Sequence, residues 1–248
     1  MYDVTIIGNG NLGYNFSIAL EKAQDFKLLQ WYGRNWKNKN FNNKSINKLS
    51  EIKKADLFII AVSDDSISDI LNYINKQYFV IHCSGATPID VFHDFERGGV
   101  IFPVQTITKQ IDFSFKNIPF CIESKKTSDL KILKKLVKNL HGTFKCLDSN
   151  QRANVHLSAV WINNFVNHMI SKGKKICIEN NISFSLMEPI LKKTVDQAIS
   201  QNPDKVQTGP ALRNDINTLK LHSSLIKNSD DKSLYKIITK SIQKNYEK

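Results

Sequence analysis

Near the start of the chain a short apolar run, Val4 to Ile7, ends in Gly8-Asn9-Gly10-Asn11-Leu12-Gly13. Leu12, Phe16, Ala19, Leu20 and Ala23 then follow at helical spacing. Four apolar residues closed by glycine read as a buried parallel strand. Each glycine has a physical task at such a strand–turn–helix junction. Gly8 permits the tight turn, Gly10 lets a pyrophosphate approach the backbone, and Gly13 lets the helix lie close on the strand. The helix start presents free N–H groups and the positive end of its dipole to phosphates. Gly8, Asn9, Gly10, Asn11, Leu12 and Gly13 are therefore expected to hold the phosphates of a dinucleotide. A glycine-rich turn with no ligand is the alternative reading of the same motif.

A second strand is expected over Phe26 to Tyr32, ending in Gly33-Arg34-Asn35. That is roughly 20 residues beyond the last motif glycine, where an acid would hold the ribose 2′-OH of NAD or an arginine the 2′-phosphate of NADP. Arg34 stands there with no Asp or Glu beside it, so NADP is expected in preference to NAD. The alternative is a surface arginine in a turn. Asn35 to Lys48, rich in Asn and Lys, reads as a surface loop.

Further strands are expected over Ala55–Val62, Tyr78–Cys83 and Gly99–Phe102. The first ends in Ser63-Asp64-Asp65-Ser66, able to cap a helix over 66–75. The others end in Ser84-Gly85-Ala86-Thr87-Pro88 and Pro103-Val104-Gln105-Thr106. Strands alternating with helices predict a Rossmann-like α/β fold with a doubly wound parallel sheet. Ligands of such sheets lie outside the carboxyl ends of the strands. Four loops should thus converge on one crevice, which adds Val62, Ser63, Ser84 and Pro103 to the candidate site. Pro119–Glu123 and Thr143–Leu147 read as edge strands around a helix over Ser128–His141, whose Lys131, Lys134, Lys135 and Lys138 form a solvated face.

After Ser149 strand signals stop and helical patterns begin. This divides the chain into an NADP-binding domain, 1–149, and an all-α substrate and dimerisation domain, 150–248. Residues 150–179 read as one helix. At 100° per residue, Arg152, His156, Asn163 and Asn167 fall on one narrow side, with Trp161, Ile162, Phe165 and Met169 opposite. A polar stripe on an apolar helix either meets a ligand or is satisfied between packed helices. Helices are expected over 185–201, over 216–227 with Asp215 as its cap, and over 232–246. Arg213, in the polar loop before Asp215, suits a bidentate carboxylate or phosphate contact, or an ion pair with Asp215.

Composition excludes several classes. The net charge of +12 comes from 35 Lys and Arg, but the arginines are Arg34, Arg97, Arg152 and Arg213 alone. A nucleic-acid surface would use more arginine with interleaved aromatics, so no nucleic-acid partner is expected. No apolar run approaches the roughly 20 residues of a membrane span, and no export leader is expected before the first strand. Cys83, Cys121, Cys146 and Cys177 are scattered, which suits reduced, buried thiols in a cytoplasmic protein and no metal site.

Gly8–Gly13, Ala61-Val62-Ser63-Asp64-Asp65, His82-Cys83-Ser84-Gly85, Phe102-Pro103-Val104-Gln105-Thr106, the His156–His168 stretch and Thr208-Gly209-Pro210-Ala211 through Asp215 together carry a resemblance. Over nearly its whole length the chain resembles a family of bacterial Rossmann-like proteins that end in a helical domain of unknown function. That family is taken to be NADP-dependent oxidoreductases. Its distant relatives are pyrroline-5-carboxylate reductase, 6-phosphogluconate dehydrogenase and ketopantoate reductase. The resemblance implies a nicotinamide cofactor, a C-terminal domain like that of 6-phosphogluconate dehydrogenase, a homodimer formed through it, and a second unit beginning as early as Ile118.

The wider relatives use Lys-x-x-x-Asn-x-x-x-Asn on the first long helix. Asn163 and Asn167 keep the asparagine spacing, but Ala159 stands in the lysine position, one turn after His156. The implied catalyst is a reductase or dehydrogenase for a small acidic metabolite. In it His156 transfers a proton, Asn163 and Asn167 orient the substrate, Arg213 clamps an acidic group, and Ser84 lies near the nicotinamide. The alternative is a non-catalytic NADP(H)-binding sensor or scaffold.

Overall fold

The computed structural model describes residues 1–34, 44–108 and 113–246. Eight strands among these residues form one sheet: β1 Tyr2–Ile7, β2 Phe26–Tyr32, β3 Ser45–Ile46, β4 Leu57–Ile60, β5 Phe79–His82, β6 Arg97–Pro103, β7 Pro119–Ser124 and β8 Thr143–Cys146. Their order is β3-β2-β1-β4-β5-β6-β7-β8. The first six run parallel in the 3-2-1-4-5-6 order of doubly wound dinucleotide folds. The loop expected over 35–48 contains β3, and its residues 35–43 lie outside the described set.

The central strands are apolar on both faces because both faces are covered. Val4, Ile6, Leu57, Ile59 and Ile81 pack with Phe16 and Leu20 of α1 (Asn11–Glu21) and with Leu133 and Leu136 of α3 (Thr127–Asn139). Ile7, Phe58, Ile60 and Val80, one residue out of phase, pack with Ile67 and Leu71 of α2 (Ile67–Leu71) and with Phe92. This alternation is the two-residue period of a strand.

Three details differ from expectation in this region. β7 pairs antiparallel to β6: the Val104 N–H donates to the Pro119 carbonyl at 2.8 Å, so the chain returns alongside β6. The helix expected over 66–75 shrinks to α2 plus a tight turn over Asp64–Ser66. Ser63 supplies no side-chain cap, its hydroxyl lying 2.9 Å from that of Ser66 instead. Cys146 is exposed, while Cys83, Cys121 and Cys177 are buried.

The chain divides into two compact units, Met1–Met169 and Ile170–Lys248, whereas the sequence pattern put the boundary at 149. The reason is local. Helix α4, Ser149–Ala159, is tied to the sheet by a buried arginine and so belongs with it. The helix expected to run unbroken over 150–179 is α4, a π-helical stretch Val160–Phe165, and α5, Val166–Glu179. The π stretch disturbs the 100° phase on which the stripe was drawn. Trp161 and Ile162, drawn on the side opposite the polar stripe, are 62% and 74% exposed.

The second unit holds the rest of α5, then α6 (Glu188–Ser200), α7 (Pro203–Val206), α8 (Ile216–Leu225) and α9 (Ser229–Tyr246). Asp215 caps α8 as expected, accepting from the Thr218 N–H at 3.2 Å and its hydroxyl at 2.8 Å. Lys172 pairs with Asp231 at 2.5 Å, and His222 Nδ1 lies 2.9 Å from the Tyr235 hydroxyl. Apolar residues of its helices, among them Ile190, Ile199 and Leu225, stay exposed.

Candidate functional site

Parallel β1, β2, β4, β5 and β6 place their carboxyl ends, Ile7, Tyr32, Ile60, His82 and Pro103, along one edge of the sheet. The glycine turn opens there, between β1 and its neighbours β2 and β4, where strand order reverses. Gly8 has φ +117°, and a Cβ added to it would stand 2.2 Å from the Ala61 carbonyl oxygen. A Cβ on Gly13 would stand 2.0 Å from the Gly8 oxygen. That oxygen accepts the buried Trp31 indole N–H at 2.9 Å. Gly10 differs: a Cβ there would meet nothing within 4 Å.

Gly10 is also the N-cap of α1 and supplies no side-chain cap. The first backbone bond of the helix is donated by Tyr14 to Gly10 at 3.0 Å, and no acid occupies the first turn. Open space beside unclaimed N–H groups is the arrangement that accepts a phosphate. Asn9 lies over Gly33, where a Cβ would come within 2.5 Å of its side chain. Arg34 follows Gly33 and is exposed.

The loop after β6 is strapped across this helix start. Asn11 Nδ2 donates to the Ile107 carbonyl at 3.1 Å, and buried Asn15 donates to that of Thr108 at 2.8 Å. Thr106 Oγ1 in turn accepts from Asn163 Nδ2 at 2.6 Å. His156 is half-buried. Its ring meets that of Phe102 edge to face at 5.7 Å and lies 2.8 Å from where a Gly85 Cβ would be. The structure thus brings His156 and Asn163 to the carboxyl edge through Gly85, Phe102 and Thr106.

The remaining expected residues fare differently. Val62 is half-buried and Ser63 exposed in the loop after β4, while Pro103 is buried at the end of β6. Ser84 is buried. Its hydroxyl accepts from the Ala86 and Thr87 N–H groups at 3.1 and 2.8 Å, so it shapes the loop rather than facing a ligand. Arg152, drawn on the same stripe as His156, is fully buried and pairs with Glu123. Asn167 is exposed beyond the π stretch. Arg213 is exposed in the second unit, where its charge favours the ionised Asp215 after the hydrogen bonds from Thr218. Among the described residues no helix is long and apolar enough to cross a membrane, and no three His, Cys, Asp or Glu are grouped to hold a metal ion.

Sequence reasoning missed the strap. Asn11 and Asn15, one turn apart on the side of α1 that meets residues 107–108, were its available signal. It also gave no separate role to His82, which stacks on Phe92 at 5.4 Å and accepts the Ser84 N–H on Nδ1 at 3.2 Å. Burial pulls His82 down to about 3; the Arg152 cation adds to this, and the Pro88 carbonyl acts the other way.

The fold and this edge define a Rossmann-like α/β protein with a helical C-terminal part. The chain belongs to the family described as "Domain of unknown function (DUF2520)", whose model matches residues 118–242. It is similar to a Bacteroides fragilis structure described as "putative NADP oxidoreductase BF3122", with 30% identity, 98% of each chain covered and a TM-score of 0.87. Protein TM1727 of Thermotoga maritima matches at 21% identity over 98% of each chain, with a TM-score of 0.70. A Plasmodium falciparum pyrroline carboxylate reductase with NADP bound shares the fold at 14% identity over 98% of each chain, with a TM-score of 0.57. No curated protein matches the chain.

His82 sets a pH dependence. In the unfolded chain it titrates near 6.5 and in the fold near 3. Between those values the unfolded chain binds a proton that the folded chain does not. Stability therefore falls as pH drops through this window, by up to about 1.4 kcal/mol per pH unit. Urea unfolding of the wild type should lose stability more steeply than His82→Gln on acidification from neutrality. Equal slopes would contradict the assignment.

Proposed function

We propose that the chain is an oxidoreductase that uses NADP(H) to reduce or oxidise a small metabolite, with His156 handling the proton. One observation carries the reading most directly. The strap of Thr106, Ile107 and Thr108 joins the uncapped start of α1 to Asn163, so the phosphate cradle and the polar helix are parts of one edge. The likeness to the Bacteroides fragilis protein supports the cofactor class.

The cradle residues fit a dinucleotide. Gly10 leaves room, the α1 N–H groups offer donors, and Arg34 at the end of β2 offers a cation for a 2′-phosphate. A bound nicotinamide would supply the hydride chemistry. The chain would contribute orientation and proton transfer. Neutral His156, seated on Gly85 and Phe102, accepts a proton from a substrate hydroxyl or amine in oxidation. In reduction its protonated form returns one to the oxygen or nitrogen. Asn163 gives one Nδ2 hydrogen to Thr106 and keeps the other to donate to the substrate oxygen, while its Oδ1 can accept from an amine N–H. Ala159 at the lysine position of the wider relatives favours a second reading, a non-catalytic NADP(H) sensor.

Two titrations and one assay separate these readings. Arg34→Ala should weaken NADPH roughly tenfold or more, from loss of a charge-assisted phosphate contact, and leave NADH unchanged. Equal losses for both cofactors would remove the NADP assignment. Across a panel of imines, 2-oxo acids and β-hydroxy acids, the wild type should turn over at least one. His156→Gln should then lose about 10²–10⁴-fold in turnover at near-constant NADPH affinity. Binding without turnover of any panel member would favour the sensor.

A homodimer is part of the same proposal. Exposed Leu186, Ile190 and Ile199 in the second unit offer apolar side chains to such an interface. Light scattering at micromolar concentration should give twice the 28.4 kDa chain mass. A monomer would contradict the proposal.

A further inference from the structure

One face of α4 follows the loop after β5 contact by contact. Ser149 Oγ accepts the Ile89 N–H at 2.9 Å, Arg152 donates to the Thr87 carbonyl, and the His156 ring rests against Gly85. Positions 149, 152 and 156 are spaced three and four apart, so they share that face. The loop residues they meet, 89, 87 and 85, step back two at a time. Arg152 also pairs with Glu123 of β7, and Ser149 donates to the same carboxylate at 2.9 and 3.1 Å. The helix, the loop and β7 are thereby locked in one register.

The Arg152 guanidinium is fully buried, and its Nε–H has no hydrogen-bond partner among the described residues. A buried pair that leaves a donor unmet adds little stability, and apolar residues of similar size often serve as well or better. What such residues cannot do is hold the Thr87 carbonyl. We propose that the Arg152–Glu123 pair is a positioning element: it fixes the loop after β5 and thus the seat of His156 on Gly85. Arg152 acts through the loop and touches no reacting atom. The inference rests on the reading of His156 as the proton-transfer group, but its test does not.

The test replaces both partners at once, Arg152→Met with Glu123→Leu, in the full chain carrying isotope-labelled histidine. The His156 signal is identified by its loss in His156→Gln. In the wild type the His156 and Phe102 rings, edge to face with centroids 5.7 Å apart, should give a nuclear Overhauser contact. The double variant should keep a melting temperature at or above the wild type and lose most of that contact. Retention of the contact at full strength would overturn the proposal, because His156 would then be seated without the pair. Unfolding of the double variant would overturn it too, because the pair would then be a stability element. Neither readout needs a substrate. Absence of turnover on every compound tried would count against the proton-transfer role of His156 and leave this result standing.

Discussion

The Gly8 carbonyl oxygen is the point on which the site is built. It accepts the Trp31 indole N–H at 2.9 Å, and Gly13 brings α1 so close that a Cβ would stand 2.0 Å from it. One oxygen therefore sets the end of β1, its distance from β2 and the approach of α1. No side chain larger than hydrogen fits at Gly13 without moving one of the three. Gly8 is fixed as firmly from the β4 side by the Ala61 carbonyl. With its flanks fixed, the turn leaves Gly10 facing open space at the helix start.

From that turn outward, contacts pass along the carboxyl edge. Asn11 and Asn15 hold residues 107 and 108, Thr106 holds Asn163, and Gly85 and Phe102 hold His156. Two separate loops thus determine where α4 and the π stretch present polar groups. Backbone amides at the α1 start supply a positive end without a charged side chain. His156 is the half-buried imidazole that these contacts present at this edge. His82, only a few residues from Gly85, is kept neutral by burial and serves the loop instead.

The fold was largely legible because it is written in local terms. The glycine spacing, the apolar strands and the turn residues each state a backbone requirement within a few positions, and Phe26–Tyr32 came out with its observed ends. The site was legible only where it is local. His156 and Asn163 lie on the helix that pattern reading picked out. Ser84 was misread because a buried hydroxyl accepting two backbone N–H groups has the same sequence signature as one facing a ligand. Which of the two readings of the stripe holds at Arg152 was not legible, because its partner, Glu123, is 29 residues away and no local pattern reports such a pair. The positions of Asn163 and Asn167 on the stripe rest on a 100° step carried through a π stretch that the sequence does not announce.

The central claim is that the opening beside Gly10 receives a pyrophosphate, and a single methyl group tests it. Gly10→Ala adds a Cβ that meets no protein atom within 4 Å, so the variant should fold with a urea midpoint close to wild type. Its methyl group would stand where the ligand's phosphate approaches the backbone. Fluorescence titration with NADPH should show saturable binding to the wild type and at least a tenfold loss in Gly10→Ala. Equal affinity in the folded variant, or no NADPH binding by the wild type, would contradict the account.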